Sequence, residues 1–378
     1  MAAHAPASAV RGRAAAERSE RDGWLTATDF SRSPFAIAWE VTRACAFSCV
    51  HCRADAQHRR DPGELTTDEA YALIDRLTEF GSPILVFTGG DPMMRKDLYD
   101  LIRHATNAGL RCSLTPTATA LPTPARLARA RDAGIRRIAL SIDSPNPKVH
   151  DEFRKVSGSW ERTIAILHNA QALGISTQVN TTVTTHNVDV LQDMVPFIRE
   201  VGAVQWSVFF LVPMGRAQQL RMISPEQHER VLTWLHHLSL TGEFDIKATA
   251  APMYRRIVAQ RDPAAAGAGF AFSDGLNRPT QGVNDGRGFL FVSHRGDITP
   301  SGFLPLVAGN VRTDDVVEVY RNSPLFTGLR DPDRLTGKCG VCEFRHVCGG
   351  QRGRAYAVTG DAYASDPACA YVPPAWHG

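Results

Sequence analysis

Between residues 35 and 213 one unit recurs: an apolar, β-rich run, then an amphipathic stretch that stops at glycine, then the next apolar run. The runs are Phe35–Thr42, Ile84–Gly89, Arg111–Thr117, Arg136–Asp143, Ser176–Thr184 and Val204–Val212, and the stops are Gly81, Gly109, Gly134, Gly174 and Gly202. Glycine suits the left-handed position just past a helix end. Thr66 followed by Glu69 is a capping box opening the first helix. Strands alternating with helices require a parallel sheet with right-handed crossovers. The expectation is an α/β fold, a partial (β/α)6 TIM-like barrel left open to give a lateral gap for a bulky substrate. Ile246–Thr249 with Pro252–Arg261 offers a seventh unit, so spacing alone leaves the strand number open.

The remaining segments carry less pattern. Residues 1–33, rich in Ala, Arg and Ser, predict a disordered tail without the apolar core of a signal peptide. The barrel is expected over 34–213. A bridging segment and mobile loop follow over 214–288, then a cysteine-rich domain over 289–378 held together by metal. Phe289–Ser293 and Asp297–Thr299 flank His294-Arg295-Gly296, a hairpin signal. Helices are expected near 314–330, and Trp234–His237 reads as one face of a solvated helix. A net charge of +3 is too mild for nucleic acid, and no apolar run reaches the length of a membrane span. Cysteines without an export signal predict reduced thiols in the cytoplasm.

Seven of the eight cysteines fall into two groups. Cys45, Cys49 and Cys52 make C-x3-C-x2-C at the end of the first strand, where parallel α/β folds place active sites. Cys339, Cys342, Cys348 and Cys369 make C-x2-C-x5-C-x20-C. Four thiolates close the valence of a 4Fe-4S cluster, whereas three leave one iron open to another ligand. Zinc is the alternative for each, with His51 as a fourth ligand in the first; the adjacency of His51 and Cys52 makes that geometry difficult. Cys112, on the third strand, reads as a small buried hydrophobe.

The run VTRACAFSCVHC resembles the signature of the radical S-adenosylmethionine (AdoMet) superfamily. TGGDP at the end of the second strand is similar to its glycine-rich motif, with Asp91 in place of the usual Glu; taken alone it is also an ordinary strand-to-helix turn. The resemblance implies that the open iron binds AdoMet. A reduced cluster would then cleave it to methionine and a 5′-deoxyadenosyl radical, which takes a hydrogen atom from substrate. It implies AdoMet contacts at Gly89, Gly90 and Asp91, at Ser141 and Asp143 in LSIDSP, at Arg154 for the methionine carboxylate, and at Asn180 for the ribose. A ferredoxin or flavodoxin is the implied reductant.

The second group resembles part of the SPASM domain that follows many such barrels. Arg352 and Ser301 stand where a complete pattern has further cysteines, which implies one auxiliary 4Fe-4S cluster rather than two. The C-terminal run and PSGFLPLVAGNV are similar to enzymes of the alternative haem pathway, Fe-coproporphyrin decarboxylase and the maturases of denitrification haem, although Gln351 departs from some members. That resemblance implies a tetrapyrrole substrate, with Arg216, His294 and Arg295 as carboxylate partners. Two other readings are a maturase of ribosomally made peptides, for which no recognition module is visible, and a non-catalytic electron carrier, which has no use for an open iron.

Overall fold

The computed structural model describes residues 28–262 and 282–377. Residues 1–27 of the tail expected over 1–33, and most of the mobile loop, lie outside them. The six expected strands are present as β1 (Ala36–Glu40), β2 (Ile84–Thr88), β3 (Arg111–Leu114), β4 (Arg137–Ser141), β5 (Ser176–Val183) and β6 (Gln205–Phe210). A seventh, β7 (Asp245–Thr249), pairs parallel to β6, so six units extend to seven. The intervening helices are α1 (Thr67–Leu77), α2 (Leu98–Asn107), α3 (Pro124–Ala133), α4 (Pro147–Arg154), α5 (Ser159–Ala172), α6 (Met194–Glu200) and α7 (Pro225–Ser239), with α8 (Met253–Arg261) after β7.

The expected punctuation holds in detail. Thr66 accepts from the Glu69 amide while the Glu69 carboxylate accepts from the Thr66 amide, closing the box on α1. All five predicted glycine stops have positive φ, from 63° at Gly202 to 123° at Gly134. Only glycine reaches such angles without crowding a Cβ.

The hairpin β8 (Phe289–Val292) and β9 (Asp297–Thr299) also forms, and it does not stand apart. β8 pairs parallel to β1, and β9 leads to β10 (Gly309–Asn310), giving the order β10-β9-β8-β1-β2-β3-β4-β5-β6-β7. The sheet therefore ends at β7 on one side, and among the described residues β7 and β10 do not meet. Along β5 the buried residues Thr177, Val179, Thr181 and Val183 alternate with half-buried Gln178, Asn180 and Thr182. The first set packs on helices and the second faces the lumen, as period-2 geometry requires. On the open side a cavity of about 1840 Å³, counting its mouth, lies between β7 and the starts of β1 and β8. Phe35, Phe244, Phe289 and Phe303 give it apolar walls, and Lys247 and Arg255 reach its lining.

Residues 28–33, expected within the disordered tail, are instead ordered against the body: Phe30 is buried, and its carbonyl accepts from Tyr320 Oη at 2.8 Å. Tyr320 lies on α9 (Val316–Asn322), which with α10 (Pro324–Arg330) fills the helical stretch expected near 314–330. Cys112 is buried in the main core, as its strand position implied. The solvated face expected at Trp234–His237 is corrected. His236 is buried and Trp234 packs edge-on against Trp206, leaving His237 exposed.

Candidate active site and metal centres

β1 runs out at Glu40, and the next residues lock its end to the neighbouring strand. Val41 N donates to Thr88 O at 2.9 Å, and Thr42 Oγ1 donates to the buried Glu64 carboxylate at 2.5 Å. The chain then turns into a loop closed by Cys45 N to Gln57 O (2.7 Å) and Gln57 N to Arg43 O (3.1 Å). Inside it, Cys45 and Cys49 are buried with Phe47, and Cys52 packs against them. Cys45 Sγ accepts from the Phe47 amide at 3.3 Å and lies 3.5 Å from Thr117 Oγ1. Burial pushes the Cys45 thiol up to about 11 and raises that of Cys49. Such thiolates need compensating positive charge, which the irons of a cluster supply.

Gly89 and Gly90 form the wall behind this loop. A Cβ on Gly89 would lie 2.4 Å from Thr42 O, and one on Gly90 2.4 Å from Ala44 O. The glycines are thus required by the backbone of the cysteine loop itself, and Gly90→Val would displace that loop rather than only obstruct a ligand. Gly90 N donates to Thr42 O at 2.9 Å, and Gly90 O accepts from Thr117 Oγ1 at 2.9 Å. Asp91, fully buried, accepts from Thr119 Oγ1 (2.9 Å) and from the Met93 amide (3.1 Å), capping the turn that follows. Burial holds its carboxyl above the ordinary range. Thr117 and Thr119 carried no sequence signal, because their part depends on a partner 26 or more residues away.

At the end of β4, Asp143 and Arg154 meet. Arg154 Nε and Nη2 donate to Asp143 Oδ2 at 2.7 and 2.6 Å, and Nη1 reaches 4.0 Å from Cys49 Sγ. Burial would raise the Asp143 carboxyl, but Arg154, His51, His150 and the Thr182 amide together more than offset it and the group is held low. Asp143 therefore acts on the site through Arg154, whose remaining Nη1 edge faces the cysteine loop. Ser141 and Asn180 are register partners on β4 and β5, half-buried on the lumen side. Asn180 Oδ1 accepts from Gln178 Nε2 at 2.7 Å. The His51 ring stacks on Phe153 at 4.3 Å, and Phe153 stacks on His186 at 5.4 Å. No group of three His, Cys, Asp or Glu side chains among the described residues converges on one ion.

The three expected carboxylate partners fall elsewhere and are corrected. Arg216 braces the loop, Nε donating to Cys49 O at 2.9 Å and Nη1 to Asp55 at 3.1 Å. His294 is buried between Glu40 (2.8 Å) and Asp61 (3.3 Å), and Arg295 forks onto Asp61 at 2.9 and 2.7 Å. Asp55, Glu40 and Asp61 already pair with these cations, while Arg216 Nη2 is buried without a partner among the described residues.

The other four cysteines line one hollow of about 400 Å³ of empty space. Cys339 lies in α11 (Gly337–Val341), and Cys342 and Cys348 flank a turn before α12 (Arg352–Thr359). Burial lifts Cys369 to about 11 and Cys348 beyond the ordinary thiol range. Amide N–H groups of Gly350 and Asp366 approach Cys348 Sγ (3.4 Å) and Cys339 Sγ (3.5 Å). Arg352, in a position the fuller pattern gives to cysteine, is 2% exposed and donates to the carbonyls of Gly350, Ala362 and Ala364. Ser301 is likewise buried, beside Asp285 and Gln351. Behind them Arg354 forks onto Asp366 at 2.9 and 3.0 Å, both side chains fully buried. Its Nη1 donates to Ala250 O at 3.1 Å, just past β7, which ties this centre to the barrel.

The family model of the radical SAM superfamily matches residues 39–201, from the core of β1 past α6. An AdoMet-dependent heme synthase of Oleidesulfovibrio alaskensis is 44% identical over 89% of this chain and 87% of that protein. One from Methanosarcina barkeri is 41% identical over 91% and 98%. Among solved structures, Streptococcus suis SuiB bound to S-adenosylmethionine superposes with a TM-score of 0.70 over 96% of this chain and 82% of that one, at 14% identity. Radical SAM proteins bind AdoMet and a 4Fe-4S cluster. With the cysteine loop at the head of the parallel sheet and relatives of this closeness along nearly its whole length, the chain belongs to the radical SAM superfamily and is an enzyme of that family.

Proposed function

We propose that the enzyme carries out oxidative decarboxylation of propionate side chains on an iron-bearing tetrapyrrole, with Cys45, Cys49 and Cys52 holding the AdoMet-binding cluster. The observation that supports it most is identity above 40% along nearly the whole chain to proteins named AdoMet-dependent heme synthase. When bound, AdoMet and its cluster supply a 5′-deoxyadenosyl radical. Each propionate then gives up one hydrogen atom to that radical, one CO₂ and one electron, and becomes a vinyl group. The chain's own residues orient and shield. Arg154, held by Asp143, would offer Nη1 beside the cysteine loop to the methionine carboxylate, while Gly89, Gly90 and Asp91 would hold the backbone on the side of the amino group. Ser141 and Asn180 face the ribose from the lumen. The open-sided cavity encloses about 430 Å³ behind its mouth, within the roughly 300–1,000 Å³ of small-molecule sites.

The released electron needs an acceptor, and the four-cysteine centre, read as one fully ligated auxiliary 4Fe-4S cluster, is its place. Among the described residues no helix is long and apolar enough to cross a membrane, in keeping with a cytoplasmic enzyme reduced by a ferredoxin or flavodoxin. The test is turnover of the reconstituted enzyme with AdoMet, dithionite and Fe-coproporphyrin. The expected products show loss of CO₂ and two hydrogens per propionate, matched by 5′-deoxyadenosine. Absence of porphyrin product, with 5′-deoxyadenosine stimulated instead by a peptide, would favour the peptide maturase.

A further inference from the structure

The four-cysteine hollow carries more positive charge than thiol packing requires. Arg256, Lys338 and Arg345 line it, and Arg352 Nη2 lies 3.8 Å from Cys339 Sγ. Lys338 Nζ donates to Cys369 O at 2.9 Å. Of the acids nearby, Asp333 pairs with Arg345 at 3.0 Å, Asp366 in the wall pairs with Arg354, and Glu343 beside Cys342 accepts from Tyr371 Oη.

Arg256 differs from the rest. It is 2% exposed, lies 4.9 Å over the Tyr371 ring, and donates to the Glu229 carboxylate through both Nη1 (3.0 Å) and Nη2 and to Gln260 through Nη1 at 2.7 Å. Its Nε is buried and meets no acceptor among the described residues. A buried N–H is costly to leave unpaired, so such a group points to an acceptor beyond the described residues. Thiolate and sulfide sulfurs of a cluster between Cys348 and Cys369, the thiols that feel this guanidinium, are acceptors of that kind. Cluster potentials follow net charge and hydrogen bonds to sulfur. At the three-cysteine loop the corresponding cation, Arg154, is balanced by fully buried Asp143.

We propose that Arg256 raises the reduction potential of the auxiliary cluster by setting a buried guanidinium and its Nε–H against the sulfurs, so that this centre rather than the AdoMet cluster takes the electron leaving the substrate. Arg256 is a positioning residue acting through the cluster, and the proposal rests on the reading that the four cysteines hold one.

The test uses the full-length, cluster-loaded enzyme without substrate, with iron content and an EPR-monitored redox titration of Arg256→Gln and Glu229→Gln. Arg256→Gln should lower the auxiliary midpoint so that the reduced-to-oxidised ratio at fixed potential falls about tenfold, a shift of 59 mV for one electron. Glu229→Gln removes the opposing carboxylate and should raise that ratio by roughly threefold, a smaller effect because Glu229 is partly screened by solvent. A purely structural ion pair would make both variants move alike. The AdoMet cluster should keep its midpoint in both. If Arg256→Gln fails to load its auxiliary iron, Glu229→Gln decides alone: a raised midpoint supports the proposal, and an unchanged or lowered one overturns it. An unchanged midpoint in fully loaded Arg256→Gln also overturns it. Wild-type enzyme holding only about four irons would instead overturn the auxiliary-cluster reading on which it stands.

Discussion

The two cysteine groups are built by different physics. The three-cysteine loop spans eight residues and is framed almost wholly by main chain: a closed ladder to Gln57, glycines pressed against Thr42 and Ala44, and amides tied to β2. The four-cysteine hollow gathers residues from 339 to 369 and is framed by buried side-chain charge, with Arg352 on three carbonyls and Arg354 on Asp366. Main-chain framing follows from the sheet and persists without metal. Side-chain framing would instead depend on the cluster proposed for its thiols. The first site is therefore expected to be preformed and the second to be metal-dependent.

The comparison breaks most sharply at the first loop. Replacing Cys45, Cys49 and Cys52 with Ala should abolish AdoMet cleavage and remove about half the iron, with little loss of thermal stability, as read by iron assay, 5′-deoxyadenosine and circular dichroism. Cys348→Ala should do the converse. It should remove the other half of the iron and destabilise the region beyond residue 289, seen as faster proteolysis there, while uncoupled AdoMet cleavage survives and product formation falls far more.

A smaller effect sharpens the role of side-chain charge. Arg354→Ala leaves Asp366 buried without its partner, which should cost about 3–5 kcal/mol. The checking measurement is a denaturation midpoint, and the loss should fall on auxiliary iron before barrel iron. A variant as stable as the parent would show that the pair does not hold the hollow.

Much of this was legible in the sequence where the signal is local. The glycine stops, the Thr66–Glu69 box, six strands and both cysteine groups need only neighbours within a few residues. What stayed hidden depends on long-range partners. The pairing of β8 with β1 joins residues some 250 positions apart, and no local pattern announces it. Thr117, Thr119 and Arg256 acquire their parts only when the turns after β2 and β3 or the wall beside α8 are assembled. His294 and Arg295 were misread for the same reason, since their acids, Glu40 and Asp61, lie more than 230 residues away.

The smallest expected effect concerns that network. Burial alone would lower the His294 pKa, but Glu40 and Asp61 outweigh it, together with opposition from Arg43, and the group is raised above 6.5. A raised folded-state value means its stabilisation is complete below about pH 6.5 and is lost as pH rises through the raised value. His294→Gln should therefore lower the denaturation midpoint at pH 6 more than at pH 9. A difference that widens with pH would contradict the assignment.

The central claim is that one centre has an open iron for AdoMet and the other has none. EPR of the dithionite-reduced wild type and of the two cysteine variants, each with and without AdoMet, tests it most directly. The account predicts about eight irons in the wild type, an AdoMet-induced spectral change in the wild type and in Cys348→Ala, and no change in the triple variant. An AdoMet response in the triple variant, or about twelve irons in the wild type, would contradict it.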